Sequence, residues 1–193
     1  MARQITDQYG LHFLTLTLVD WIDLFTRHVY CDLFLETLAF CQEERGLKVH
    51  AFVIMPSHVH LLVHATGNTP LSSIMKSIKT YSANLFLNYI QDTQQIESRR
   101  EWLIKYLAFQ ARKNKRNSKH QIWMRGHYPV LLYSPAFIRQ KLNYIHQNPV
   151  EARIVNDPIH YVYSSAANYE TGDGIFKVDL LEDIENNTGL FLS

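Results

Sequence analysis

Apolar and polar positions divide the first ninety residues into five elements. Leu11 to Val19 (LHFLTLTLV) is rich in β-branched and aromatic residues and reads as a strand. From about Arg27 to Glu44, Leu33, Phe34, Leu38 and Cys41 fall at helical spacing, and Gly46 stands where such a helix would stop. Leu47–Met55 (LKVHAFVIM) is a second strand, Met55-Pro56-Ser57 a turn, and His58–His64 (HVHLLVH) a third strand running back antiparallel to the second. Beyond Gly67-Asn68-Thr69-Pro70, the residues Leu71, Ile74, Met75, Ile78, Tyr81, Leu85 and Phe86 make one face of a helix that reaches about Tyr89. The order so far is β-α-β-β-α. A strand within Gln121–Tyr133 would complete a β-α-β-β-α-β split unit, an α+β antiparallel sheet with helices on one face. Before it lies a polar, basic insert, about residues 91–120, read as a helix over Arg99–Ala111 and an exposed loop. Ser134-Pro135 opens another helix, expected to end near Asn148 because Pro149 discourages continuation. The last 45 or so residues are expected to wrap the domain as loops and short elements.

At 193 residues and 47% hydrophobic, the chain can bury a core, which excludes wholesale disorder. Cys31 and Cys41 are too few for a disulfide scaffold or a cysteine-based zinc site and read as buried thiols. The first residues lack the pattern of a signal peptide and no apolar run approaches 18 residues, so the expectation is a cytoplasmic protein with no membrane segment. The net charge of +1 conceals a strong asymmetry: residues 99–125 carry nine basic side chains against Glu101, and residues 156–193 carry seven acidic ones against Lys177. A run of that kind, with Arg112, Lys113, Lys115, Arg116, Lys119 and Arg125, can be a solvated face or a surface for phosphates.

Two stretches offer chemistry. In His58-Val59-His60 the alternation of a strand points both imidazoles to one face, within reach of one metal ion, while Val59, Leu61 and Val63 fill the other. Such a pair also occurs as locally hydrogen-bonded strand histidines. In the helix from Ala136, Tyr144 and Asn148 stand one turn apart on a common face. A tyrosine beside a polarised phosphate can be a nucleophile, although a phenol, with an ordinary pKa of about 10, needs activation. Spacing alone does not separate Tyr144 from Tyr81, which has Lys79 nearby. Trp102, Trp123, His127 and Tyr128 are candidate stacking surfaces for unpaired bases or simply packing residues. A nucleotide hydrolase with a histidine triad is disfavoured, because Leu62 stands at the third alternate position.

Met55–Val63 (MPSHVHLLV), Arg139–Val155 (RQKLNYIHQNPVEARIV) and Tyr161–Tyr169 (YVYSSAANY), in this order, resemble the single-tyrosine HUH transposases, and most closely the REP-associated tyrosine transposases and their relatives. The resemblance spans roughly Leu11 to Tyr169 and implies a ferredoxin-like HUH nuclease domain over residues 1–171, with 172–193 as an acidic tail. It implies His58 and His60 as ligands of Mg²⁺ or Mn²⁺, Asn148 as a third, amide ligand where glutamine is common, and Tyr144 as the nucleophile. The implied reaction is metal-dependent nicking and joining of single-stranded, hairpin-forming repeat DNA through a 5′-phosphotyrosine, in a monomer or a homodimer. Ser57 stands where Asn is common, and Glu151-Ala152-Arg153 replaces Arg-Ala-Gly, so the affinity for DNA can differ. The alternative is a domesticated DNA-hairpin binding protein without transposition activity.

Overall fold

A computed structural model describes residues 4–115 and 118–181 of the chain. At its centre is an antiparallel sheet of β1 (His12–Thr17), β2 (Leu47–Met55), β3 (His58–Ala65) and β4 (Val130–Leu131), in the spatial order β2-β3-β1-β4. With α1 (His28–Arg45) and α2 (Leu71–Gln91) the elements follow the expected β-α-β-β-α-β order. α1 stops at Gly46, whose φ of 68° is left-handed, and a Cβ there would come within 2.4 Å of the Thr66 carbonyl oxygen.

The alternation along the strands sorts two cores. Leu14, Leu16, Phe52, Ile54, Val59 and Leu61 pack with Phe34 and Leu38 of α1 and Ile74, Ile78 and Phe86 of α2. Phe13, Val53 and Leu62 face the other way, toward Ile138 and Ile145 of α4 (Pro135–Glu151). The two helices of the split unit thus share one face of the sheet, and α4, which follows the unit, takes the other. Burying an isoleucine stabilises by roughly 1.5–3 kcal/mol, so Ile138 and Ile145 alone tie α4 firmly to the sheet.

Two expectations need correction. The strand sought within 121–133 reduces to Val130–Leu131. The preceding residues do follow β1, through Met124 N–H to Thr17 O (2.9 Å) and Thr15 N–H to His127 O (3.0 Å). Left-handed backbone at Gly126 and Tyr128 bends them out of a regular ladder. Pro149 does not stop α4, which runs on to Glu151. Its ring is buried, and so near the helix end it removes only one ladder bond.

The basic insert is anchored at its start. α3 (Arg100–Lys113) follows a turn at Glu97, whose buried carboxylate accepts from the Tyr30 hydroxyl (2.5 Å) and pairs with Arg27 (2.9 Å). Arg100 donates to the carbonyls of Ile90, Asp92 and Gln95, closing the C-terminal end of α2. After the short α5 (Ala166–Glu170), the chain returns along β2: Asp179 N–H donates to Val49 O (2.8 Å), and Phe176, Val178 and Leu181 are buried. The first ten residues of the expected acidic tail therefore pack on the domain, and residues 182–193 lie outside the described ones. No helix among the described residues is long and apolar enough to cross a membrane.

Candidate active site

The hairpin of β2 and β3 places the paired histidines. Its turn is clamped by the segment after β1, with Leu18 N–H donating to Ser57 O (2.9 Å) and Phe25 N–H to Pro56 O (3.1 Å). On β3, His58 lies opposite Thr17 and Met55, and His60 opposite Thr15 and Val53. Both rings stand on the α4 side of the sheet, with centroids 4.8 Å apart. Thr15 Oγ1 meets His60 Nδ1 at 2.9 Å, and Ser57 Oγ meets His58 Nδ1 at 3.3 Å. Phe13 stacks on His60 at 5.2 Å and fixes its plane.

Tyr144 of α4 reaches this pair: its hydroxyl is 3.5 Å from His60 Nε2, and its ring meets Phe13 edge-on at 5.8 Å. At 3.5 Å the polar contact is weak, and a group placed between the two would have to part them. Lys141, one turn earlier, holds its Nζ 4.8 Å from the Phe13 centroid and 5.5 Å from that of Tyr144. Asn148 lies one turn beyond Tyr144 and is half-buried, and no described side-chain hydrogen bond joins it to either histidine.

Burial keeps both imidazoles neutral, the form in which a ring nitrogen can bind a metal. For His60 it combines with competition from the His58 imidazole for a proton and with the Lys141 charge to push the pKa down to about 3, and burial also lowers that of His58. Among the described residues no group of three or more His, Cys, Asp or Glu is disposed to hold a metal. Tyr81, the rival nucleophile, stacks on Phe40 of α1 at 5.2 Å, on the opposite face of the sheet.

The basic residues divide by what holds them. Arg99 and Arg100 serve the fold, Arg99 through Asp23 at 2.9 Å. Arg112, Lys113, Lys115 and Lys119 are exposed at and beyond the end of α3, and Arg125 is exposed beside them, its Nη2 donating to Asn114 O (3.3 Å); Arg116 lies outside the described residues. Of the candidate stacking aromatics, Trp123 belongs to the core and donates its Nε1–H to Ser82 Oγ (3.0 Å). Trp102 is half exposed and stacked on Tyr106, Tyr128 is exposed, and His127 is half-buried.

Sequence reasoning missed Trp21. It follows Asp20, and both are left-handed, with φ of 57° and 52°. Such backbone costs roughly 1–3 kcal/mol for each residue other than glycine. The pair turns Trp21 outward between buried Val19 and Ile22, so that its ring meets that of His58 edge-to-face with centroids 5.6 Å apart. Behind it opens a cleft of about 410 Å³, bounded by α3 and the segment after it. Nothing in the apolar run Leu18-Val19-Asp20-Trp21-Ile22 marks a left-handed pair.

A solved REP-associated tyrosine transposase bound to a REP hairpin shares the fold, with a TM-score of 0.62 at 16% sequence identity, over 89% of this chain and 86% of its own. The likeness to a Deinococcus radiodurans protein assigned to the transposases is weaker, with a TM-score of 0.42 at 18% identity over 75% of this chain and 95% of the other. No curated protein matches the sequence. The family profile described as "Transposase IS200 like" matches residues 22–122, which include α1, the histidine hairpin, α2 and α3. With more than half of its length matched and its sheet in the expected order, the chain belongs to the IS200-like transposases, enzymes that nick and join DNA.

Proposed function

We infer that this transposase cleaves and rejoins single-stranded DNA with Tyr144 as nucleophile, on strands that fold as repeat hairpins. The observation that carries this reading is the 3.5 Å approach of the Tyr144 hydroxyl to His60, between residues 84 positions apart. His58 and His60, with Asn148 as a third donor, would hold Mg²⁺ or Mn²⁺, whose charge polarises the scissile phosphate. A ligating Nε2 on His60 requires the proton on Nδ1, so that ring donates and the Thr15 hydroxyl accepts. Two neutral imidazoles and an amide leave such an ion able to attract an anionic phosphate.

Tyr144 attacks phosphorus after its phenolic proton passes to water. The bond from phosphorus to the 3′ oxygen breaks, that oxygen takes up a proton, and the 5′ phosphate stays on the tyrosine. The new ester keeps the energy of the old one, so a second 3′-hydroxyl can reverse the step without ATP. Lys141 holds positive charge over the Tyr144 ring, and Arg112, Lys113, Lys115, Lys119 and Arg125 offer contacts to the strand's phosphates.

The test is a denaturing gel. Purified protein is incubated with Mn²⁺ and end-labelled hairpin oligonucleotides from the repeats flanking its own gene. A covalent protein–DNA adduct is expected from wild type and lost in Tyr144→Phe and His60→Ala. An adduct that survives Tyr144→Phe removes Tyr144 from this role. Tight binding with no adduct under several divalent ions would make the chain a hairpin-binding protein that has lost its chemistry.

A further inference from the structure

Trp21 takes no part in the chemistry above, yet its ring packs edge-to-face with His58 of the histidine pair while 59% of the residue is exposed. Its outward position is enforced, not incidental. Val19 N–H donates to Ile122 O (2.7 Å), Trp21 N–H to Leu18 O (3.1 Å) and Ile22 N–H to Val19 O (3.3 Å), which pins the left-handed pair from both sides. The Asp20 carboxylate is held by the Tyr106 hydroxyl and by Gln110 Nε2 (3.0 Å). A large aromatic kept in solvent by strained, well-anchored backbone points to something that covers it.

The cleft beside it has the chemistry of a nucleotide seat. Val19 and Met124 supply apolar surface, and Lys113 and Arg125 supply positive charge. Asn114 donates its Nδ2–H to Gln121 Oε1 (3.0 Å), which orients the amide, and no described bond uses its Oδ1. A flat π-face, an oriented amide acceptor and two cations suit an unpaired base and its phosphate. An apolar ligand would gain nothing from the cations, and a duplex could not offer a separate base face.

The geometry points to this cleft as the seat of an unpaired nucleobase, that of the nucleotide next to the scissile phosphate, stacked on Trp21 with its phosphate near Lys113 and Arg125. The inference rests on the reading of His58 and His60 as the centre that cleaves the strand. It makes Trp21 a residue that sets the position of cleavage.

The experiment is a binding cycle on the full-length protein with the same hairpin oligonucleotides, an abasic site being placed at each unpaired position in turn. Wild type should lose about 10-fold in affinity at one position, as a single lost base stack predicts. Trp21→Ala should lose a similar factor on the intact strand and nothing further at that one position. Trp21→Phe, which keeps a stacking face, should recover most of the affinity and the coupling. Losses that multiply at every position overturn the inference, as does a Trp21→Ala protein that binds all strands like wild type. If the Tyr144-dependent adduct forms while no position couples to Trp21, the cleft fails and the catalytic reading stands. If the coupling appears but no adduct forms, the cleft still seats an unpaired base, but the catalytic reading fails and with it the seat's place beside a scissile phosphate. Absence of binding by wild type overturns both.

Discussion

Thr15 and His60 are directly opposed across the β1–β3 pair, and the threonine hydroxyl meets the imidazole Nδ1 at 2.9 Å. Thr15→Val keeps the β-branched shape and removes that partner, leaving the ring free to change tautomer. Loss of an outer partner of this kind costs about 10–100-fold in metal affinity or activity. The expected result is an adduct yield that falls by about that factor at limiting Mn²⁺ and recovers in part at high Mn²⁺. Titrating Mn²⁺ against adduct yield for both proteins checks it, and superimposable curves would refute it.

The exposed cations around the end of α3 should be visible in the salt dependence of binding. For a single strand, log K falls with log salt by roughly 0.7 for each phosphate neutralised, so Arg112→Ser, Lys113→Ser and Lys119→Ser together should flatten the slope by about 2. Arg100→Ser is the contrasting variant. Its guanidinium is spent on three carbonyls at the end of α2, so it should lower thermal stability and leave the slope unchanged. Fluorescence anisotropy between low and moderate salt separates the two.

Glu97 concentrates much of the insert's anchoring in one buried carboxylate, with Tyr30 and Arg27 on one oxygen and the Arg99 backbone on the other. Glu97→Gln removes the charge opposite Arg27, whose part-exposed guanidinium keeps its bond to Ile96 O, so unfolding in urea should become easier by roughly 1.5–3 kcal/mol. Tyr30→Phe removes only the hydroxyl's hydrogen bond and should cost about 1 kcal/mol. Equal losses in the two variants would mean that the carboxylate's charge contributes little.

His50 gives the fold a dependence on acid. It is fully buried in a bulge of β2, with Nδ1 2.6 Å from the Asp179 carbonyl and Nε2 2.8 Å from His64. Burial is the main cause that lowers its pKa to about 4, helped by His64 and Lys48 and opposed by Asp179. Because the unfolded chain takes up the proton first, stability is full above about pH 6.5 and declines as pH falls toward 4. At pH 5 this imidazole should account for about 2 kcal/mol of lost stability, and His50→Asn should make the profile flatter over that range. Urea midpoints at pH 7.5 and pH 5 for the two proteins provide the comparison.

Much of this architecture was legible because it rests on periodicity. The spacing of Leu71, Ile74, Met75 and Ile78 gives the inner face of α2, and the alternation through His58, Val59 and His60 gives both the sheet face and the pairing of the rings. The helix bearing Tyr144 was readable from its N-terminal Ser-Pro, with Ser134 Oγ accepting from Phe137 N–H at 3.3 Å. What escaped depends on contacts distant in sequence. The reach of α4 past Pro149 follows from a buried ring, and the broken ladder after Gln121 follows from left-handed backbone at Gly126 and Tyr128. Trp21 was hidden for the same reason, since a strained turn held by Ile122 leaves no trace in composition.

The helix that carries Tyr144 is moored to the sheet by Ile138 and Ile145, and the tyrosine's approach to His60 depends on that mooring. The separation of phenol and imidazole is therefore set by the seating of a whole helix as well as by the rotation of one side chain. A change that trims Ile138 or Ile145 would loosen that spacing while leaving both polar groups untouched.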